Sequence, residues 1–169
     1  MSVPVGVSPA DAEVVWNEWG PTTRVRIEQS AVWVFARAVK DDRPEYGTDE
    51  GPVPCPPTYT FVMAHAGAFP GLQPPGVPRQ TVADETAQLA SRPGLYLHGE
   101  QEFVYHRTPL VGDVLECRRR TSKPFPKANA RRPMDITLYE TEWRDLDGNP
   151  VVSELITSLF LPEGQPQPS

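Results

Sequence analysis

At 169 residues, 38% hydrophobic and 22% charged, the chain is long enough to bury a proper core and reads as one globular domain. A net charge of −6 argues against nucleic acid as the main partner, and no apolar stretch approaches the roughly 18 residues of a membrane span. Cys55 and Cys117 are too few and too far apart for a disulfide framework or a zinc site; both read as reduced and buried, which fits the cytoplasm.

The N-terminal string MSVPVGVSPADAEVVW lacks the charged start and apolar run of a signal peptide. Residues 1–9 have little pattern and are expected to lie loosely, and the spacing that follows predicts a short helix through Ala12, Val15 and Trp16, capped by Ser8 or Asp11. Thr22–Ile27 alternates as a half-buried strand does. Glu28–Lys40 is predicted helical, because Val32, Phe35, Ala36 and Val39 form one apolar stripe; Trp33 and Val34 beside it imply a broad buried face or a partner chain. DDRPEYGTDEGPVP, residues 41–54, is a loop rich in turn formers and acids.

The chain is organised around Pro56–Phe69, an Ala-rich apolar run read as a buried helix. Pro56 and Pro57 are tolerable only in its first turn, and Thr60, Ala64 and Gly67 form a small-residue face. Residues 70–94 form a long irregular connection containing a possible helix over Thr81–Ala90. Four strands follow, Leu95–Arg107, Val114–Lys123, Asp135–Asp145 and Val151–Leu161, with a basic loop over Pro124–Pro133 and a disordered tail over 162–169.

The element order, and the strings WGPTTRVRIEQSAVWVFARAVKDDRPEY, PCPPTYTF, LHGEQEFVYHRTPLVGDVLECRRR and LYETEWRDLDGNPVV, resemble the N-terminal MaoC-like dehydratase domain family. The resemblance covers most of Trp19–Leu161, fails over Gly71–Pro93, and is most specific in HGEQEFVYHRTPLVGD. It implies an α+β hot-dog domain, an antiparallel sheet wrapped around a central helix. Two such domains would pair into a double hot dog with an acyl tunnel between them. The implied substrates are enoyl or 3-hydroxyacyl thioesters carried on coenzyme A or acyl carrier protein, in a homodimer or beside a catalytic MaoC-like chain.

Hydration of an enoyl thioester needs a group to handle the water proton and a donor for the charge that develops on the thioester oxygen. The resemblance implies an Asp-x-Asn-Pro-x-His motif for the first need and a helix-start backbone N–H in an Ala-His-Gly string for the second. Here the first motif falls on Asp41-Asp42-Arg43-Pro44-Glu45-Tyr46, so Arg43 replaces the Asn and Tyr46 replaces the His. With a pKa of about 10, a tyrosine does not exchange protons near neutrality. The second motif falls on Cys55-Pro56-Pro57, and Pro57 has no N–H to offer.

The candidate site is therefore Asp41 as the remaining catalytic-type residue, with Tyr46, Cys55, Pro57, Thr58, His98, Arg131 and Arg132 along the substrate path. Bland readings stand beside these. Asp41 can be simply a helix-ending acid, His98 and His106 can be bonded to backbone at the sheet edge, and His65 can be a packed helix residue. Glu100 with Glu102, and Glu140 with Glu142, can be solvated or paired to Arg across strands. Arg118–Arg120 with Lys127, Arg131 and Arg132 form a basic cluster that either keeps a strand edge solvated or docks the phosphates of coenzyme A or an acidic carrier protein. With no Gly-rich phosphate loop and no metal-ligand spacing, no cofactor is expected.

The leading functional reading is a non-catalytic partner subunit of an enoyl-thioester hydratase or 3-hydroxyacyl-thioester dehydratase. A self-sufficient hot-dog hydratase or acyl-CoA thioesterase using Asp41, and a module that binds acyl thioesters without chemistry, remain open.

Overall fold

The computed structural model describes residues 14–47, 51–66, 93–127 and 132–163; the side chains of residues 64–66 are also outside it. The elements run β1 (Thr23–Arg26), α1 (Gln29–Ala38), a 3-10 turn (Pro44–Gly47), α2 (Tyr59–Ala66), β2 (Gly94–Tyr105), β3 (Val114–Thr121), β4 (Phe125–Pro126), β5 (Asp135–Arg144) and β6 (Pro150–Pro162). The strands form one antiparallel sheet in the order β1-β3-β5-β6-β2, with β4 pairing β5 beside it. This is the hot-dog arrangement that the element order implied.

Period-two patterning decides which side chains meet the helices. Cross-strand registers align Cys117, Trp143, Val152 and Tyr105 in one row. Cys117, Trp143 and Val152 are buried in a core they share with Val32 and Ala36 of α1 and Tyr59 and Met63 of α2. The alternate row carries Arg118, Glu142, Ser153 and Val104 and faces away from that core. Its charges form a ladder: Arg24–Glu116 at 2.6 Å, Arg118–Glu142 at 2.6 Å and Arg120–Glu140 at 2.5 Å.

Helix α1 stops where its geometry demands. Lys40 takes φ of 59°, its N–H donates to the Arg37 carbonyl, and the Asp41 N–H donates to the Ala36 carbonyl at 2.8 Å. That pair of bonds with a left-handed residue between them is a Schellman-type ending, here with lysine where glycine is usual. Val39 falls outside the helix and is exposed, so the expected stripe shortens to Val32, Phe35 and Ala36, with Ala31 also buried.

Four further expectations are corrected. Val15 and Trp16 are not helical; the segment runs along β3, with Trp16 bridged to Ser122 and Asn17 N–H donating to the Thr121 carbonyl at 2.9 Å. The reason is tertiary: the Trp16 and Trp19 rings lie 4.3 to 4.5 Å from the guanidinium carbons of Arg118 and Arg120, a cation–π stack that outweighs a weak local helix preference. Pro56 and Pro57 do not form the first turn of α2 either. They precede it in a turn, Thr58 takes φ of 69°, and the helix starts at Tyr59. The expected loop over Pro124–Pro133 contains β4, and Pro162 belongs to β6 rather than the tail. The predicted cap at Ser8 or Asp11, the helix over Thr81–Ala90, Gly67 and Arg131 lie outside the described residues.

Candidate functional site

The Schellman ending of α1 fixes Asp41 at the rim of a cleft of about 410 Å³ lined by Trp33, Ala36, Arg37, Lys40, Asp41, Asp42, Arg43, Pro44, Tyr46 and Gly47. The 3-10 turn then folds the chain back, so that residues two and five positions on return to the same carboxylate. Arg43 grips it with two nitrogens, Nε to Oδ1 at 3.0 Å and Nη2 to Oδ2 at 2.8 Å. The Tyr46 hydroxyl donates to Oδ2 at 2.9 Å and also receives a hydrogen bond from Arg43 Nη2. Tyr46 itself is buried. Both oxygens of Asp41 are thus engaged by a guanidinium fork, the geometry that satisfies a carboxylate most completely. Asp41, Arg43 and Tyr46 form a hydrogen-bonded triad in which the carboxylate charge is balanced by the guanidinium.

At the start of α2 the second motif is equally occupied. Cys55 is buried and donates its backbone N–H to the Pro109 carbonyl at 2.9 Å. Burial, with a smaller contribution from the charge of Asp113, pushes its thiol up to about 12, so it is neither a nucleophile nor a base. Pro57 offers no donor. The next amide, Thr58 N–H, donates to the Tyr105 hydroxyl at 3.0 Å. A left-handed Thr58 turns this amide toward β2, where the tyrosine caps it.

Other expected residues are scattered. His98 is exposed and packs edge-to-face on Phe61 of α2, with ring centroids 6.4 Å apart. His106 Nε2 lies 3.1 Å from Ser153 Oγ, a side chain rather than backbone. Arg132 is exposed just before β5, whose first residue Asp135 is eight residues, roughly 26 Å of strand, from the Trp143 row. Within the basic cluster, Arg118 and Arg120 pair with Glu142 and Glu140 across the strands, one of the two readings given to those acids. Of the residues singled out from sequence, the fold brings Asp41 and Tyr46 into contact, and places Cys55, Pro57 and Thr58 together ahead of α2. Among the described residues, no group of three or more His, Cys, Asp or Glu side chains is arranged to hold a metal.

Sequence reasoning missed two residues at the site and one buried acid in the sheet. Arg43 was read as a missing Asn rather than as a clamp; its position two residues after a carboxylate was the available signal. Tyr105 gave no signal, because its role depends on β2 lying against the α2 start. Glu154 was detectable as a charge within the apolar row Val152, Ile156 and Phe160 of β6; it is buried, and its Oε1 accepts a hydrogen bond from Gln101 Nε2 at 2.5 Å.

Comparison with known proteins accords with this architecture. Residues 17–154 match the family model described as FAS1-like, dehydratase domain region. A Saccharopolyspora erythraea protein described as a UPF0336 protein is 25% identical over 150 residues, covering 85% of this chain and 86% of that one. Among solved structures, the HadBC (3R-hydroxyacyl-ACP dehydratase) complex of Mycobacterium tuberculosis has a TM-score of 0.60 at 19% identity, covering 88% of this chain and 98% of that one. The ChsH1-ChsH2 complex of the same organism has a TM-score of 0.57 at 18% identity, covering 88% of each chain. The chain belongs to the FAS1-like dehydratase region family and takes the MaoC-like hot-dog fold.

Proposed function

We propose that this chain is the non-catalytic half of an enoyl-thioester hydratase or 3-hydroxyacyl-thioester dehydratase. It forms one hot-dog domain that shapes the acyl tunnel of a double hot dog, while a catalytic MaoC-like chain supplies the carboxylate and histidine. The thioester is carried on coenzyme A or acyl carrier protein. The observation that carries the reading is the clamp on Asp41, whose two oxygens are held by Arg43 and Tyr46. A general base must reach its proton with a free lone pair, and Arg43 and Tyr46 occupy lone pairs on both oxygens of this carboxylate. The capped Thr58 amide supports the same reading, since an oxyanion donor has to point at substrate.

Each loss is large on the catalytic scale. An absent oxyanion donor typically costs about 3 to 4 kcal/mol of barrier, and an absent proton-transfer group a further factor of about 10² to 10⁴. The two complexes with similar folds pair different subunits, HadB with HadC and ChsH1 with ChsH2, which supports a partner chain. Both cysteines are free and buried, which supports a reducing, cytoplasmic setting.

The test is an enoyl-CoA hydration assay on crotonyl, long-chain and steroid thioesters. The chain alone is expected to be silent, and activity is expected on adding a catalytic MaoC-like chain. Robust turnover by the chain alone overturns the proposal.

A further inference from the structure

The bulge between His98 and Glu100 inserts one residue into β2. As a result His98, Gln101, Phe103 and Tyr105 all lie on its helix-facing side, opposite Ser158, Ile156, Glu154 and Val152 of β6. Helix α2 touches this row at both ends. Phe61 packs edge-on against His98 with ring centroids 6.4 Å apart, and the Thr58 N–H meets the Tyr105 hydroxyl at 3.0 Å. Gln101 and Phe103 lie between the two contacts, with Phe103 stacked on Tyr105 at 6.1 Å. The row is not sealed: His98 and Tyr105 are exposed, while Gln101 and Phe103 are half-buried. It is an aromatic strip interrupted by one amide.

That amide is anchored from behind. Glu154 is 2% exposed, and its Oε1 accepts a hydrogen bond from Gln101 Nε2 at 2.5 Å, across a diagonal of the β2–β6 pair. A buried acid beside Val152 and Ile156 is costly unless hydrogen bonds satisfy it, and an apolar residue would pack there without that cost. What the acid does supply is direction. A carboxylate only accepts, so it fixes which end of the Gln101 amide points inward. The Gln101 Oε1 and its second N–H are left over, and among the described residues neither has a partner. The strip therefore carries one oriented acceptor and one oriented donor within aromatic surface. A neutral group that both donates and accepts, a secondary amide or a hydroxyl, matches that pair. An anion does not, because the amide oxygen and the acid behind it both oppose negative charge.

We propose that Gln101 is a specificity-determining residue that reads a neutral donor–acceptor group on an otherwise apolar thioester ligand, and that Glu154 is the residue that positions its amide. This rests on the reading of the chain as a tunnel-shaping half, and it names the side chains that select what the tunnel holds. The matching group has two sources: an amide of the pantetheine arm, or a hydroxyl on the acyl chain. A site with a fixed hydrogen-bonding pair disfavours an analogue that lacks the group, since the pair is then covered and left unmet.

The experiment is calorimetric titration of the full chain with three probes of equal acyl length. These are octanoyl-pantetheine, 3-hydroxyoctanoyl methyl thioester, and octanoyl methyl thioester, which has neither amide nor hydroxyl. The chain is expected to bind at least one polar probe about tenfold more tightly than the bare one. Preference for the first assigns the carrier arm, and preference for the second assigns the acyl chain. Gln101→Leu is expected to abolish the preference and leave affinity for the bare probe unchanged. Glu154→Gln keeps the buried shape but can turn either end of its amide to Gln101, so it is expected to cut the preference about threefold. A merely structural role for Glu154 would shift all three affinities alike. Because Gln101→Leu strips a buried acid of a donor, Gln101→Leu with Glu154→Leu removes both partners and serves as the second variant. Circular dichroism checks that each variant folds. Equal affinity for the three probes overturns the inference, as does no binding of any, or a preference that survives the leucine variants. The functional reading fails separately: a catalytically silent chain with no preference sinks this inference alone, while hydration by an isolated chain whose preference Gln101→Leu abolishes sinks the functional reading alone.

Discussion

The Thr58 amide and the Tyr105 hydroxyl are joined by a 3.0 Å hydrogen bond that closes the start of α2 against β2. Tyr105→Phe removes the acceptor and leaves the amide to solvent. Because Tyr105 is 44% exposed, water replaces it, and the expected cost is roughly 0.5 to 1 kcal/mol in urea unfolding. No hydration activity is expected to appear, since the proton-transfer group is still absent.

The clamp on Asp41 is a structural device, so its members are expected to report on stability. Tyr46→Phe loses the hydroxyl contacts at a cost of about 1 kcal/mol, whereas Tyr46→Ala empties a buried ring site at about 3 to 5 kcal/mol. Arg43 is nearly half exposed, so Asp41→Asn is expected to cost no more than about 1 kcal/mol. Chemical denaturation of the three variants checks this order.

Alkaline pH is expected to weaken the fold through both thiols. Burial, first of all, pushes Cys55 and Cys117 up to about 12 from the ordinary 9.0. The folded state therefore keeps its thiol protons where the unfolded chain has released them. The resulting stabilisation is fully present below about pH 9 and is lost as pH rises toward 12, at up to about 1.4 kcal/mol per pH unit per thiol. Unfolding measured at a series of pH values above 9 is expected to show this slope, and Cys55→Ala with Cys117→Ala to flatten it.

Lys40 sits at φ 59° where the end of α1 calls for glycine. Lys40→Gly is expected to stabilise by about 0.5 to 1 kcal/mol, relief of left-handed strain outweighing the entropy of an unfolded glycine. A rise in the denaturation midpoint with an unchanged slope is the check.

The sheet was legible because strand patterning is local. Four strands fall within one or two residues of where alternation put them, apart from the two-residue β4, which is too short to carry a period. The ends of the helices were harder. α1 loses Val39 to a left-handed lysine, and α2 starts after Thr58 because two prolines and a positive φ postpone it. Trp16 was misassigned because its fate depends on Arg120, over a hundred residues later in sequence. At the site, substitution patterns identified Asp41 and Tyr46 as unusual, but a missing group says nothing of what fills its place. The guanidinium clamp and the tyrosine cap are contacts made by folding.

The account stands or falls on whether Asp41 does chemistry. Hydration of crotonyl-CoA by the purified chain alone, beside its Asp41→Asn variant, tests this directly. The clamp predicts no turnover above the uncatalysed rate from either protein; turnover by the unaltered chain that Asp41→Asn abolishes would make this carboxylate a catalytic base and contradict the account.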